Sequence, residues 1–447
     1  MRKRTKMNAC LLLMCLPVIG WGQSNDTLKV NLQQALDIAL SDNPAIVVAD
    51  LELKRVDYSR QNAWLGLLPS VNGSAQYSKF VVPASMSMMG QLMDSPTDFN
   101  ASLGVSLSLP LFAPALWRSI QMTGVDMQLA AEKARASKIT LRNDVTKAYY
   151  SILLAQDSYK SLQDGYAVAR QNYEEARQRF DLGLAAEYDY ISAEVQMTNL
   201  QPTLLQVETG IAQAKMYLKV LMGVDGAVPL AVTGSLTELE AAVATTGARD
   251  IALSGNADLR QLDIQQQLLR KSVQLQQTQW MPTLAAFGNY TYAGTGNRQT
   301  TINFGGMPIA VPASTEWFGQ GLIVGLQLNV PIFNGSSNLI KVKQINLQQR
   351  ELALQRDYLE SSLSVQARTA LDNMDKAVKQ MESAKKGVAL SEKGYSISAK
   401  RYETGAGTML ELQSAALALT QSRLSYHQAI ADYLNAKADY EKIVGND

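Results

Sequence analysis

The sequence predicts an α+β chain in which long antiparallel helical hairpins carry four β-strands of membrane-spanning length, arranged as two internal repeats. Three observations predict it. Short motifs recur in one order at a nearly constant spacing. Two runs of about ten residues alternate between apolar and small or polar side chains. Two stretches of some 65 residues hold helical apolar spacing with no internal proline or Gly-Gly pair to end them.

Taken from its start, the chain opens on the basic run Met1–Lys6, followed by an apolar run from Ala9 to Gly20 and by Gly20-Trp-Gly22. Basic start, short apolar run and small residues at −3 and −1 are the layout of a secretory signal peptide over residues 1–22, with Gln23 as the mature start. The apolar run is too short to span a bilayer as a helix. A lipid anchor at Cys15 is disfavoured by Met14, which stands where a lipobox needs a small residue. Both cysteines, Cys10 and Cys15, fall in this leader, so the exported chain is expected to carry neither disulfide nor thiol chemistry. Losing the leader's four basic residues leaves 37 of the 41 against 40 acidic, a net charge near −3. That balance argues against a nucleic-acid partner. No later stretch is apolar enough over a helix-spanning length. An exported chain of this kind is periplasmic, secreted or an outer-membrane strand protein.

The duplication sets the domain plan. Asp37-Ile-Ala-Leu-Ser recurs as Asp250-Ile-Ala-Leu-Ser, Leu68-Pro-Ser as Met281-Pro-Thr, and Tyr77 as Tyr290, all at an offset of 213. Leu109-Pro-Leu-Phe recurs as Val330-Pro-Ile-Phe, and Leu221-Met-Gly as Ile443-Val-Gly, at offsets of 221 to 222. Fixed order at fixed spacing marks a repeat. The first repeat is read as 23–222, a linker with a short helix around Leu236 as 223–249, and the second repeat as 250–447. Each repeat reads helix, strand, loop, strand, very long helix, turn, helix. The first helix is expected from Asn31 to Trp64, ended by Pro69.

The strand signal lies in Leu103, Val105, Leu107 and Leu109, which alternate with Ser102, Gly104, Ser106 and Ser108. Leu322, Val324, Leu326 and Leu328 alternate in the same way. Ten residues with one apolar face fit a tilted membrane strand, and equally a half-buried sheet in a soluble domain. The partners are expected at Val71–Phe80 and Thr283–Ala293, joined through exterior loops at Val81–Asn100 and Gly294–Gly319. Four strands cannot close a barrel, and lipid does not tolerate open edges. Three copies would supply 12 strands, with Leu103, Val105, Leu107, Leu322, Val324 and Leu326 facing lipid. After Pro110 and Pro331 the period becomes helical. Helices of roughly 65 residues, on the order of 100 Å long, need lateral helical neighbours rather than a globular core.

Chemistry-bearing residues are few. His427 is the single histidine, so metal clusters and Cys-His catalysis lack their ligands, and no phosphate loop is present. No catalytic constellation or cofactor is expected. Asn72-Gly-Ser and Asn334-Gly-Ser are read as turns, and Gly319 and Gly321 as strand residues. Met86, Met88, Met89 and Met93 cluster in the first exterior loop, where thioethers could bind Cu(I) or simply fill space. The sharpest features are two hairpin tips, Arg179-Phe-Asp-Leu-Gly-Leu-Ala185 and Arg401-Tyr-Glu-Thr-Gly-Ala-Gly407.

The Asp-Ile-Ala-Leu-Ser openings, the Leu-Pro-Leu-Phe and Val-Pro-Ile-Phe-Asn-Gly junctions and the two Arg-aromatic-x-x-Gly tips together resemble the TolC-like outer-membrane efflux proteins. The resemblance covers nearly the whole mature chain. It implies a homotrimer with a 12-stranded outer-membrane barrel and a periplasmic helical tunnel. It also implies a periplasmic adaptor docked on the tips and an inner-membrane efflux pump behind it. The docking turns would be Gly183-Leu184-Ala185 and Gly405-Ala406-Gly407. In that family an acid just beyond the second tip forms the constriction, at the place of Glu411, while the second acidic ring falls on Ser414. Tyr402 matches a tyrosine that bonds to an acid at the place of Asp189. The arginine that assists there is replaced by Gly407. Three copies would turn Asp189 or Glu411 into a ring of carboxylates favouring cations. The plainer reading is solvated charge at helix ends. At the level of the whole chain, the rival to an exit duct is a soluble periplasmic coiled-coil scaffold or adaptor.

Overall fold

The computed structural model describes residues 27–82, 85–88, 91–240, 251–304, 307–333 and 335–445. The leader with Cys10 and Cys15, the cleavage point before Gln23, Asp250 and Asn334 lie outside the described residues. Met89 does too, as do the side chains of Met86, Met88 and Met93.

In chain order the elements are β1 (Leu28–Val30), α1 (Leu32–Asp42), α2 (Pro44–Leu65), β2 (Ser70–Lys79), β3 (Ser85–Met88), β4 (Gln91–Asp94), β5 (Thr97–Phe112), α3 (Pro114–Asp181) and α4 (Glu187–Met222). There follow β6 (Leu230–Val232), α5 (Leu236–Leu239), α6 (Ala257–Gln277), β7 (Thr283–Asn297), β8 (Thr300–Phe304), β9 (Met307–Val311), β10 (Ser314–Asn329), α7 (Ser337–Glu403) and α8 (Met409–Val444). The two very long helices form as the spacing predicts, with 68 residues in α3 and 67 in α7.

The expected single helix from Asn31 to Trp64 is broken. Asn43 leaves helical geometry (φ −64°, ψ 126°), because the proline after it excludes the helical region. Its side chain accepts from the Ala45 amide at 2.7 Å and donates to the Leu221 carbonyl at 2.7 Å. Asn256 does the same at the start of α6, accepting from Asp258 and Leu259 and donating to the Ile443 carbonyl at 2.8 Å. The motifs that open and close each half therefore touch. Gly223 and Gly445 end α4 and α8 in the left-handed region and lie against Asp42–Asn43 and Gly255–Asn256, where no side chain fits.

Around this junction sits the main core. It joins Leu36 and Ala39 of α1, Val145, Ile152 and Leu153 of α3, Leu218 and Met222 of α4, Met374 of α7 and Ile430 and Tyr433 of α8. The inter-repeat stretch contains the expected short helix, α5, and a strand the sequence did not announce. That strand, β6, pairs parallel with β1 and binds the segment to the mid-body.

The sheet is four-stranded and antiparallel, in the order β10-β7-β5-β2. Strands β7, β5 and β10 reach 15, 16 and 16 residues, longer than their alternating runs. The two expected loops each contain a hairpin, β3–β4 and β8–β9. Asn72-Gly-Ser is no turn. It lies inside β2, paired with Ser106, Val105 and Gly104 of β5. The second site keeps its turn, with Gly335 and Ser336 at φ 66° and 62°. Gly319 and Gly321 lie in β10 at a bulge, Gly321 at φ 86°. The helix after β5 starts at Pro114, in the first-turn position that needs no amide donor.

Candidate functional site

The two tips are built alike. Each long helix ends in a pair of crossed bonds around a left-handed glycine, Gly183 (φ 75°) and Gly405 (φ 73°). Gly183 donates to Phe180 and Leu184 to Arg179. Gly405 donates to Tyr402 and Ala406 to Arg401. This geometry satisfies helix-end carbonyls with the chain's own amides, and only glycine enters it without strain. After the second turn, Thr408 caps α8 by accepting from the Glu411 amide at 3.2 Å.

Tyr402 is 5% exposed and packs with Ala176, Ala193, Met409 and Leu412 in a small second core that joins the two tips. The expected bond from Tyr402 to Asp189 is not made in the protomer. The Tyr402 hydroxyl is buried without a hydrogen-bond partner among the described residues. Burial pushes the phenol's pKa up, nearby Arg179 draws it down, and the charges of Asp189 and Glu175 raise it further. Asp189 itself stands in the first turn of α4, where the helix end favours an acid.

Glu411 is not a bare carboxylate. Its Oε2 lies 3.3 Å from the Arg401 guanidinium, which also donates to the Ala406 carbonyl at 3.1 Å. Gly407, where the resemblance implies an arginine, stands close against this pair. A Cβ there would come within 3.1 Å of the Arg401 side chain and 3.3 Å of Glu411 Oε2. Ser414 is exposed.

Sequence reasoning passed over Arg179. Its guanidinium stands 4.5 Å from the centre of the Tyr402 ring and donates to the Tyr402 and Glu403 carbonyls at 3.1 and 3.3 Å. Only its repeated position, matched by Arg401, could have drawn attention to it. Beyond the tip, Ser192 donates to Gln413 at 3.0 Å, and Gly165 lets α3 approach Thr420 of α8. Leu184 is 75% exposed, with Ala185 half-buried and Ala406 open, so the tip ends themselves are free surface on the protomer.

The six apolar strand residues share one face. Leu103 pairs with Tyr292, Val105 and Leu322 with Tyr290, Leu107 and Val324 with Gly288, and Leu326 with Ala286. All six are exposed, Val324 at 73%. Farther along the same face, Tyr77 meets Phe99 and Tyr292 stacks on Trp317, a band of aromatic rings beside the aliphatic one. The opposite face presents Ser102, Gly104, Ser106 and Asn289. His427 sits between α3 and α8, its Nε2 3.2 Å from the Ser161 hydroxyl, a packing position as expected.

Comparison with known proteins places the whole arrangement. The efflux pump outer membrane protein TtgC of Pseudomonas putida, described as probable, is 26% identical over 357 residues, 77% of this chain and 70% of that protein. The outer membrane protein TolC of Vibrio cholerae is 23% identical over 323 residues, 70% of this chain and 67% of that protein. Among solved structures, the CmeC outer membrane channel of Campylobacter jejuni superposes with a TM-score of 0.72 at 16% identity, covering 93% of this chain and 85% of CmeC. VceC of Vibrio cholerae gives 0.70 at 14% identity, covering 93% and 96%. Such likeness carries the fold, and the soluble-scaffold reading finds no support in it. The family model for outer membrane efflux proteins matches residues 35–224 and 248–446, and the chain belongs to the outer membrane efflux protein family.

Proposed function

We propose that three copies of this chain close a 12-stranded barrel in the outer membrane, continued by a helical tunnel into the periplasm. The duct is passive. Cargo enters from an inner-membrane pump through a periplasmic adaptor seated on Gly183-Leu184-Ala185 and Gly405-Ala406-Gly407. Two repeats, 23–222 and 250–447, each contribute one strand pair and one long hairpin.

The observation that carries this reading is the open sheet. Among the described residues its edge strands β2 and β10 each have one neighbour only, and its aliphatic face is bare. Unpaired edges and an apolar band of membrane height are unstable in either solvent unless further copies complete the ring. The helices support it, since Tyr58 of α2, Leu205 of α4 and Leu354 and Tyr358 of α7 are exposed and call for lateral neighbours.

The constriction is formed by Asp189, Tyr402 and Glu411. With Arg401 beside each Glu411, the ring carries mixed charge, and its preference for cations is weaker than three bare carboxylates would give. The relatives' names speak of efflux pumps, which fits a duct whose energy is supplied elsewhere.

The test is assembly. Native mass spectrometry of detergent-extracted protein is expected to give a three-copy species, retained in outer membranes after a carbonate wash. A monomer released by that wash would overturn the proposal.

A further inference from the structure

We infer that Arg179 is the positioning residue of the gate, holding the tip of the α7–α8 hairpin against that of α3–α4. The inference rests on the gated-duct reading above and adds a residue to it.

The end of α7 shows why. Its last four carbonyls have no partner within the helix and must be satisfied from outside. Lys400 accepts from the Thr404 amide and hydroxyl, and Arg401 from the amides of Ala406 and Gly407. Tyr402 accepts from Gly405 and from Arg179, while Glu403 accepts from Arg179. The chain's own turn therefore supplies all but the last carbonyl, and the first hairpin supplies that one. A guanidinium suits the task, because its planar fork donates to two acceptors while its face lies on an aromatic ring. It also puts positive charge at the negative end of a long helix.

The contacts of Arg179 cross between the hairpins. Moving the second tip away strips the Tyr402 ring of its cation and exchanges the Arg179 bond to the exposed Glu403 carbonyl for one to water. The same movement opens the small core of Ala176, Ala193, Tyr402, Met409 and Leu412. Closed and parted tips are therefore two discrete packings, as a switch requires.

The matching arginine of the second tip works differently. Arg401 turns inward to Glu411 and Ala406 of its own hairpin, in the space left by Gly407.

The test compares single-channel conductance in planar bilayers for wild type, Arg179→Ala, Arg179→Lys and the Tyr402→Phe/Glu411→Ala double variant. Arg179→Ala is expected to raise conductance at least as much as the double variant. Arg179→Lys, which keeps the charge and loses the fork, is expected to fall between it and wild type. All should assemble and melt like wild type. In the Arg179→Ala background, a Ser192→Cys/Gln413→Cys pair, placed where the hairpins already touch, should restore low conductance on oxidation and release it on reduction. Raised conductance in the double variant with none in Arg179→Ala would overturn the inference and leave the gate standing. Unchanged conductance in both would remove the gate itself. Failure of both Arg179 variants to assemble would assign the residue to folding and also overturn it.

Discussion

At the residue scale, Gly223 and His427 show opposite ways in which one position constrains the molecule. Gly223 ends α4 at φ 69°, and a Cβ there would lie 2.6 Å from the Asp42 carbonyl oxygen. Gly223→Ala combines left-handed strain with a backbone collision, and is expected to cost about 1–3 kcal/mol or more in denaturant unfolding. Gly226→Ala nearby, with open space around it, should cost far less. His427 is constrained by burial, which lowers its pKa below the ordinary 6.5. Asp157 opposes that shift, Arg423 adds to it, and the Tyr426 ring lies 5.9 Å away. Its Nδ1 is buried without a partner among the described residues, so the neutral ring is the form that fits. The unfolded chain then binds the proton more readily. Stability is held above the unfolded value and lost as pH falls below it toward the folded one. The melting temperature should drop more between about pH 7 and 5 in wild type than in His427→Asn, which removes the titrating ring. A lone histidine on a helix was legible as a packing residue. The missing Nδ1 partner was not, since it depends on which groups of α3 face it.

At the element scale, periodicity did most of its work where one solvent governs a whole face. The alternating runs in β5 and β10 located the strands and their apolar side. Arginine at a lipid-facing strand site costs about 2–4 kcal/mol at mid-bilayer and little at the interface. Val105→Arg should therefore impair assembly into membranes far more than Ser106→Arg on the opposite face, as read by the trimer fraction recovered from outer membranes. Periodicity failed where a local bond outweighs it. Asn43 breaks a helix whose apolar spacing runs straight through, because its side chain caps α2 and its neighbour is proline. The hairpins β3–β4 and β8–β9 escaped notice because their short strands are set by pairing with each other.

At the scale of the whole molecule, the recurring motifs meet at the mid-body, where Asn43 meets Leu221 and Asn256 meets Ile443. Between this junction and the tip core, the hairpins lean on small residues such as Ala169 and Gly165, which permit close approach with little area to hold it. Buried packing is thus concentrated at the mid-body and at the tips, with a lightly held stretch between them. The proposed three-copy assembly belongs to this scale, since among the described residues of the protomer two sheet edges and the exposed helical side chains have no neighbours.

The sequence by itself determined the plan: recurring motifs, two very long helices, alternating strands with an apolar side, and glycine turns between paired helices. Each follows from local rules of periodicity and backbone conformation that a chain obeys before it packs. Tertiary structure alone decided how equal motifs come to differ. Arg179 and Arg401 occupy matching places, yet one reaches across to a neighbouring helix end and the other folds onto its own acid. That choice depends on which carbonyls remain unpaired and where a missing side chain leaves room, and neither is a property of spacing along the chain.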